Sequence, residues 1–470
     1  MLNKEVRGKL EKIVGRENLL DSQQDLIVYS YDATPDYQAL PDAVIKPRHK
    51  EDVAEIVKVC NEYKVPVVPR GSATNLCAGT TPLEGGLVML FNYMKDIIEI
   101  DEENLTVTVQ PGVITLDMIK AVEEKGLFYP PDPSSMKIST IGGNINECSG
   151  GLRGLKYGVT RDYVIGIEFV MPDGSIVKTG GKLAKDVAGY DLTRLMVGSE
   201  GTLGIITEAT LKLIPVPETK KTMLALYDSL EAAGNTVSKI ISNRIIPATL
   251  EFLDQPTIQV VEDFANIGLP TEAGAILLIE QDGPEEVVER DIQRMAEICE
   301  ETNALSVQIA QSPEEGEALT SARRSALSAL ARLKPTTILE DATVPRSKIA
   351  EMVKAIEEIA DKYNVKICTF GHAGDGNLHP TCMTDARNRD EMQRVEQAFE
   401  DIFAKAIDMG GTITGEHGVG VMKSPYLSWK VGEAGVEAMR AIKQAFDPNN
   451  IMNPGKVFAK DARKRVVVQR

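Results

Sequence analysis

Pro69-Arg70-Gly71-Ser72-Ala73-Thr74-Asn75-Leu76 is a polar, glycine-containing loop that follows an apolar run at residues 65–69. The run has the composition of a buried strand, and the loop after it can turn several backbone N–H groups toward one point. Such a concave set of donors suits a pyrophosphate group. The loop matches neither the GxGxxG fingerprint nor the GxxxxGKS/T loop, so specific signals for nicotinamide or ATP are absent. Taken alone, it is weak support for a ligand site.

The segments around this loop alternate between strand-like and helix-like patterns. The strand-like ones lie at residues 43–46, 65–69, 86–91 and 105–109, and the helix-like ones at 51–63 and 116–124. This alternation indicates a small α/β unit. A hairpin follows at 165–171 and 175–179, turned by Pro172-Asp173-Gly174. The apolar run at 205–214 ends in Pro215 and Pro217, so we place a domain boundary there.

After residue 217 the rhythm changes to short strands separated by longer helices. The strand candidates are 222–226, 248–252, 275–280 and 306–309, and the main helical stretches are 285–301 and 314–333. This pattern predicts an antiparallel sheet flanked by helices. The chain is therefore expected to be an α+β protein with a first domain at residues 1–217 and a second at 218–410. A C-terminal segment at 411–470 is expected to return to the first domain.

Composition excludes several classes of function. The 470 residues include 69 acidic and 52 basic side chains, and the net charge of -17 disfavours nucleic acid or an anionic membrane as a partner. The six cysteines contain no CxxC pair, which is typical of a reduced, cytoplasmic protein. No signal peptide and no apolar run of about 20 residues are present, so we expect no direct membrane insertion.

Further glycine clusters lie in the first domain. They are Ile141-Gly142-Gly143-Asn144, Gly150-Gly151 and Gly198-Ser199-Glu200-Gly201-Thr202-Leu203-Gly204. Each could be an ordinary turn. Together with the loop at 69–76, each beside an apolar strand, they suggest backbone that approaches an extended ligand.

Three of the four histidines lie in two glycine-rich segments, residues 371–380 (GHAGDGNLHP) and 415–420 (GEHGVG). If Asp375-Gly376 forms a two-residue hairpin turn, His372 and His379 are directly opposite and share a face. The alternative is that the histidines lie on a hairpin and have no functional role. With Glu416, two neutral imidazoles match a zinc, manganese or iron(II) site with open positions, and His417 remains free to act as a base.

These motifs occur in the order found in a known family. The arginine-glycine loop at 69–79, Pro130-Pro131-Asp132-Pro133, Thr140 to Asn144, Tyr157-Gly158-Val159-Thr160, Gly198 to Thr207, the two histidine segments and Asn453-Pro454-Gly455-Lys456 all match. The chain thus resembles the FAD-linked 2-hydroxy-acid dehydrogenases, which have the vanillyl-alcohol-oxidase-like fold and include glycolate oxidase catalytic subunits and D-lactate dehydrogenases. The match covers nearly the whole chain.

The resemblance implies a fold and a cofactor. The fold is a two-subdomain FAD-binding domain (vanillyl-alcohol-oxidase/PCMH-like) plus an antiparallel-sheet α+β substrate (cap) domain. The FAD-binding positions carried over are Arg70, Gly71, Ser72, Thr74, Asn75, Pro131, Thr140, Gly143, Asn144, Gly204, Ile206 and Asn453. The histidine that covalent members use is missing from the first loop, so FAD is expected to be non-covalent.

The resemblance also implies catalytic roles. The divalent metal ligands would be His372, His379 and Glu416, and the base would be His417. Arg323 would grip the substrate carboxylate. The family often has tryptophan shortly before this arginine, and here Leu319-Thr320 stand there, so Arg324 remains an alternative.

The implied reaction is oxidation of a small D-2-hydroxy acid, D-lactate or glycolate, to the 2-oxo acid, with hydride transfer to flavin N5. Electrons would pass to a separate acceptor, an iron–sulfur subunit, an electron-transferring flavoprotein or quinone, because no cysteine cluster could hold an iron–sulfur centre. Any membrane association would be peripheral and through that partner. Three alternatives remain: D-2-hydroxyglutarate dehydrogenase, a metal hydrolase, and a non-redox or accessory FAD protein. The residues do not select the acid, the metal, the acceptor or the oligomeric state.

Overall fold

The computed structural model of the protein describes residues 2–35 and 37–458. The chain divides into two compact units. Unit 1 comprises Met1–Ser149, Val159–Val216 and Glu416–Arg470, and unit 2 comprises Gly150–Gly158 and Pro217–Gly415. The sequence predicts domain boundaries after residues 217 and 410, and the chain passes from one unit to the other after residues 216 and 415. Residues 459–470 of the predicted C-terminal segment lie outside the described residues.

The described ranges contain fifteen α-helices and a few short 3-10 turns. None of these helices is long and apolar enough to cross a membrane. In chain order they are α1 (Lys4–Val14), α2 (Gln23–Val28), α3 (Lys50–Tyr63), α4 (Thr115–Glu123), α5 (Ile141–Glu147), α6 (Gly154–Tyr157), α7 (Leu192–Met196), α8 (Leu230–Ser242), α9 (Gln255–Ala265), α10 (Glu285–Glu301), α11 (Pro313–Arg324), α12 (Ala326–Leu330), α13 (Ile349–Tyr363), α14 (Arg389–Asp408) and α15 (Leu427–Phe446).

The strands are mostly short. In chain order they are β1 (Leu19–Leu20), β2 (Ala43–Ile45), β3 (Val67–Arg70), β4 (Leu87–Leu90), β5 (Ile97–Asp101), β6 (Thr106–Val109), β7 (Leu127–Phe128), β8 (Val164–Val170), β9 (Ile176–Gly180), β10 (Ile205–Lys212), β11 (Ile214–Pro215), β12 (Thr219–Tyr227), β13 (Thr249–Asp254), β14 (Ala275–Gly283), β15 (Ser306–Ile309), β16 (Thr336–Leu339), β17 (Ala342–Thr343), β18 (Ile367–His372) and β19 (Asn377–Thr384).

Unit 1 contains two principal sheets. The first has the order β1-β2-β4-β3, in which β2, β4 and β3 run parallel, so the chain crosses over through α3 between β2 and β3. Apolar side chains of α1 and α3, including Leu10 and Ile56, are buried in one cluster with Ile45 and Val67 of the sheet. The predicted α/β unit is present with its strands at 43–46, 65–69 and 86–91, whereas the strand predicted at 105–109 belongs to the second sheet. Strand β3 ends at Arg70, within the glycine-containing loop segment quoted above.

The second sheet of unit 1 is antiparallel, with the order β5-β6-β10-β8-β9. The hairpin predicted at residues 165–171 and 175–179 is present as β8 and β9. The central strand β10 pairs Ile206 with Phe169 of β8, and both side chains are buried. This strand carries Ile206 just after the glycine cluster at 198–204.

Unit 2 is built on one antiparallel sheet, as predicted. Its order is β15-β12-β14-β13-β18-β19-β16, with β17 pairing beside β19. The segment Gly150–Gly158 belongs to this unit, where the hydroxyl of Tyr157 donates to Asp282 Oδ1 at 2.9 Å. The stretch predicted to be helical at 314–333 is helical in two parts, α11 and α12, because the chain breaks at Ser325. The hydroxyl of Ser325 donates to the carbonyl of Ala322 at 2.6 Å and so competes with the helical ladder.

Polar caps explain where several helices begin. The side chains of Thr140, Ser229, Asp254 and Asn388 accept backbone N–H groups at the starts of α5, α8, α9 and α14. Each cap satisfies a donor that has no partner inside the helix. At Thr140 this cap also fixes the backbone of the Gly142-Gly143 pair.

Candidate active site

The histidine hairpin of unit 2 is formed by β18 and β19, and its register differs from the predicted one. His372 pairs with Asn377, and His379 pairs with Phe370. The predicted pairing of His372 with His379 is therefore wrong by two positions. Gly376 has a φ of 88° but Asp375 has no positive φ, so the type I′ turn does not form. The backbone N–H groups of Asp375 and Gly376 instead donate to the His372 carbonyl at 3.3 and 3.0 Å, which makes a four-residue connection.

The two histidines nevertheless lie on the same face of the sheet. A shift of two positions keeps the alternation of side chains, whereas a shift of one would reverse it. The imidazole rings of His372 and His379 are edge to face with centroids 4.9 Å apart, and both side chains are buried. Ligating nitrogens of the two rings lie within 4.8 Å of each other. The pair can therefore contribute two ligands to one divalent ion.

Glu251 of β13 contacts His372 of this pair and is not predicted by any sequence motif. Its side chain is 0% exposed. The Nδ1 atom of His372 lies 2.7 Å from Glu251 Oε1, and the Nη2 atom of Arg323 lies 2.5 Å from Glu251 Oε2. The available signal in the sequence is an acidic residue inside the strand pattern Thr249-Leu250-Glu251-Phe252-Leu253, where charge has to be paired.

Arg323 lies on α11 and is 3% exposed. Its guanidinium stacks over the Phe370 ring, with 4.8 Å between the guanidinium carbon and the ring centroid. The contact with Glu251 is an ion pair without hydrogen-bond geometry, and Nε and Nη2 of Arg323 have no hydrogen-bond partner among the described residues. The guanidinium thus retains donors for a second anion. Arg324, the alternative, is only half-buried.

The glycine-containing loop of unit 1 begins at a buried arginine. Arg70 donates from Nη2 to the Tyr31 carbonyl at 2.7 Å, and burial lowers the pKa of its guanidinium. Gly71 lies against Thr140, where a Cβ would collide with Thr140 Oγ1. That oxygen also accepts the Gly143 N–H at 3.3 Å. The loop and the start of α5 are therefore in direct contact.

The other residues of the predicted FAD site also belong to unit 1. Ser72 is exposed, Thr74 and Asn75 are half-buried, and Asn75 Oδ1 accepts the Gly79 N–H at 2.7 Å. Asn144 donates from Nδ2 to Thr115 Oγ1 at 2.8 Å. The remaining positions are buried, and they are Pro131, Gly204 and Ile206.

Asn453 connects three segments of unit 1. It is 2% exposed, and its Nδ2 donates to the Gly79 carbonyl at 2.9 Å and to the Glu200 carbonyl at 2.7 Å. Its Oδ1 is buried without a hydrogen-bond partner among the described residues. Buried polar atoms in native proteins are nearly always paired. This oxygen therefore fits a donor that a bound cofactor supplies.

The GEHGVG loop of unit 1 is held by an acid that its motif does not reveal. The two carboxylate oxygens of Glu200 accept the N–H groups of Val419 and Gly420, each at 2.7 Å. Burial raises the pKa of Glu200, and these two hydrogen bonds oppose that shift. Within the same loop, His417 Nε2 lies 3.8 Å from Glu416 Oε1.

A second acidic side chain, that of Glu147, is half-buried beside this loop. A Cβ added at Gly418 would collide with Glu147 Oε2, and the Cys77 thiol lies 3.6 Å from the same oxygen. Burial, followed by the nearby charge of Glu200, raises the pKa of Glu147 well above its ordinary value. Burial likewise raises the pKa of the Cys77 thiol. Both groups therefore favour their neutral forms, and their side chains lie close to that of Glu200.

Glu416, the third predicted metal ligand, is half-buried and begins the last segment of unit 1. The residue before it, Gly415, ends unit 2, where its N–H donates to Asp341 Oδ2 at 2.6 Å. Thr414 also donates to this carboxylate oxygen, at 3.2 Å. The chain that leads into Glu416 is thus tied to unit 2.

Known protein families and several relatives are similar to this chain. A family model described as FAD linked oxidases, C-terminal domain, matches residues 216–457, and one described as FAD binding domain matches residues 41–180. The chain is 71% identical over 470 residues to the glycolate oxidase subunit GlcD of Bacillus subtilis (strain 168), covering 100% of both. It is 38% identical over 433 residues to a D-lactate dehydrogenase of Anaerostipes hadrus, covering 90% of each.

A solved structure of p-cresol methylhydroxylase with substrate bound matches with a TM-score of 0.77 at 17% identity, covering 97% of this chain and 96% of that one. The similarity confirms the predicted fold, an FAD-binding domain of this type with an α+β domain. The family model for the C-terminal domain alone spans more than half of the chain. The chain therefore belongs to the family of FAD-linked oxidases.

Proposed function

We propose that this protein oxidises a small 2-hydroxy acid, glycolate or D-lactate, to the 2-oxo acid with FAD as its electron acceptor. The observation that carries this proposal is the 71% identity over the full length to a glycolate oxidase subunit. The D-lactate dehydrogenase among the relatives has the same substrate chemistry, a hydroxyl beside a carboxylate. The protein is an FAD-dependent hydroxy-acid oxidoreductase.

The residues of unit 1 fit a non-covalent FAD. The buried Oδ1 of Asn453 lacks a donor within the described chain, and a Cβ at Gly71 would collide with Thr140 Oγ1, so only glycine fits at this point of the loop. When bound, FAD supplies the two-electron acceptor for the reaction. The residues that would hold it are Arg70, Gly71, Ser72, Thr74, Asn75, Pro131, Thr140, Gly143, Asn144, Gly204, Ile206 and Asn453.

His372 and His379 form a site that fits a divalent metal ion, and an acidic side chain orients one of the two rings. His372 and His379 offer nitrogens within 4.8 Å of each other, and Glu251 fixes the ring of His372. We assign Glu416 as the third ligand, since the chain before it is anchored at Gly415. A two-imidazole, one-carboxylate set suits zinc, manganese or iron(II). When bound, such an ion supplies a Lewis acid that acidifies the substrate hydroxyl.

The chain's own side chains supply binding and proton transfer. A 2-hydroxy acid must lose a hydroxyl proton and a hydride. Arg323 binds the substrate carboxylate, because its buried guanidinium has donors that Glu251 does not use. His417 accepts the hydroxyl proton, since an imidazole titrates near pH 6.5 and is the common base at neutral pH.

A separate protein or quinone then removes the electrons. The relative with 71% identity is itself named a subunit. All six cysteines of this chain are buried, none forms a disulfide, and they are scattered in sequence without a CxxC pair. An iron–sulfur centre in this chain is not supported, so the acceptor is an iron–sulfur subunit, an electron-transferring flavoprotein or quinone. We place the protein in the cytoplasm, at the membrane only through such a partner.

The test is the anaerobic visible spectrum of the purified protein before and after addition of D-lactate, glycolate, D-2-hydroxyglutarate or L-lactate. Bleaching of the flavin band by glycolate or D-lactate is expected. Bleaching by D-2-hydroxyglutarate alone would reassign the substrate. A flavin band that no acid bleaches would indicate an accessory or non-redox role, and a colourless protein would indicate a metal hydrolase.

A further inference from the structure

A single buried carboxylate in unit 2 contacts two groups with different proposed roles. Glu251 places Oε1 at 2.7 Å from Nδ1 of His372 and Oε2 at 2.5 Å from Nη2 of Arg323. The three residues are 0 to 5% exposed, so water does not compete for these contacts. The carboxyl group is therefore shared between a proposed metal ligand and the proposed substrate arginine.

The contact with His372 sets which ring nitrogen can bind an ion. An ionised carboxylate only accepts hydrogen bonds, so Nδ1 must carry the proton and donate to Glu251. The lone pair is then on Nε2. A carboxylate that orients a ligating imidazole in this way also raises its basicity. Glu251 consequently prepares His372 as a metal ligand.

The contact with Arg323 restrains a guanidinium whose Nε and Nη2 make no hydrogen bond within the described residues. Its Nη2 faces Glu251 and its flat face lies on the Phe370 ring. Because a carboxyl group is rigid and planar, its two oxygens set the separation between Arg323 and His372. The backbone supporting it is also rigid, since β13 lies between β14 and β18 in the sheet.

We propose that Glu251 is a positioning residue that couples the two halves of the site, orienting His372 for the metal ion and Arg323 for the substrate carboxylate. This inference rests on the proposed function and deepens it. Glu251 itself touches neither substrate nor cofactor in this arrangement. The competing explanation is that Glu251 only neutralises a buried arginine and contributes to folding.

The chain offers a matched control on the neighbouring strand. Glu280 of β14 is also buried, pairs in register with Thr249 of β13, and lies 3.5 Å from Lys220. Within the described residues, no hydrogen bond or ion pair joins Glu280 to a residue placed in the site. Glu280→Gln therefore reports the effect of neutralising a buried acid of this sheet, and Glu251→Gln reports that effect plus the loss of positioning.

The experiment uses the full chain with FAD, and Zn²⁺ and Mn²⁺ are tested separately against a competing chelator. For Glu251→Gln we expect metal affinity about 10- to 100-fold weaker than wild type, the range typical for loss of such a supporting carboxylate. Excess metal ion should restore occupancy and kcat. The KM for glycolate or D-lactate should stay raised, because Arg323 remains unrestrained. A purely structural role would not give this separation of kcat from KM.

Unchanged metal affinity and KM in Glu251→Gln would overturn the inference, and so would equal losses in Glu280→Gln. If Glu251→Gln does not fold, Glu251→Asp decides the question, because it keeps the charge but is too short to reach both partners. It should weaken metal binding in the same way, and wild-type affinity would refute the positioning role. A wild-type protein that no acid reduces would instead refute the proposed function.

Discussion

Replacing Glu200 with glutamine is expected to loosen the loop that carries His417. Glu200 accepts the backbone N–H groups of Val419 and Gly420, one on each carboxylate oxygen. Glutamine offers one oxygen and one NH2 group, so one of the two N–H donors would face another donor. The carbonyl of Glu200, which accepts from Asn453, is unaffected by this substitution.

The magnitude follows from the burial of the site. Glu200 is 6% exposed, so solvent cannot replace the lost acceptor. A buried donor left without a partner costs about 1–3 kcal/mol, and a hydrogen bond to a charged group contributes about 1.5–3 kcal/mol. We take about 2 kcal/mol for the loop. Because 1.4 kcal/mol is a factor of ten, local opening should become roughly 30-fold more frequent.

Hydrogen–deuterium exchange of a peptide covering residues 416–423 measures this opening directly. The amides of Val419 and Gly420 should exchange roughly 30-fold faster in Glu200→Gln. Glu168→Gln is the control, because Glu168 is 5% exposed in the same unit and pairs with Lys50 at 2.8 Å. It should leave the peptide protected. We also expect slower flavin reduction in Glu200→Gln with FAD retained.

Equal exchange of this peptide in wild type and Glu200→Gln would refute the reasoning, since it would mean that other contacts hold the loop. Faster exchange throughout unit 1 would also refute it, because the two hydrogen bonds would then support the whole unit. If Glu168→Gln also exchanges faster throughout unit 1, the faster exchange in Glu200→Gln comes from the loss of a buried charge and not from the two hydrogen bonds.

Three further predictions concern proton binding, the FAD loop and the base. The pKa of Glu147 is raised by burial well above its ordinary 4.5, so the folded chain holds a proton that the unfolded chain releases. Stability to urea should therefore fall as pH rises from 4.5 toward 8, and Glu147→Gln should remove that fall; an unchanged slope would contradict the assignment. Gly71→Ala should lower the flavin absorbance per protein, because its Cβ collides with Thr140 Oγ1, whereas Gly8→Ala in α1 meets open space, retains FAD and stabilises the helix by up to about 1 kcal/mol. Equal flavin content in both would contradict the close approach. His417→Ala should retain FAD but abolish flavin reduction in stopped flow, and normal reduction kinetics would exclude His417 as the base.

Much of the fold can be read from the sequence because its signals are local. The strand before Arg70, the hairpin around Pro172-Asp173-Gly174 and the antiparallel strands after residue 217 are set by short apolar patterns and turn residues. The ordered motifs likewise predict the family, which the comparisons confirm. His372 and His379 share a face of the sheet, as predicted, because the observed register differs from the predicted one by an even number of positions.

Only the tertiary structure decides the hairpin register and the contacts between residues that are distant in sequence. The hairpin register differs from the one that Asp375-Gly376 predicts, and in the folded chain the Gly376 carbonyl accepts the Val344 N–H at 3.0 Å while β17 pairs beside β19. Glu251 is 121 positions from His372, and Glu200 is 219 positions from Val419. No local pattern encodes such contacts, since they arise only when the chain packs and buried acids must find donors.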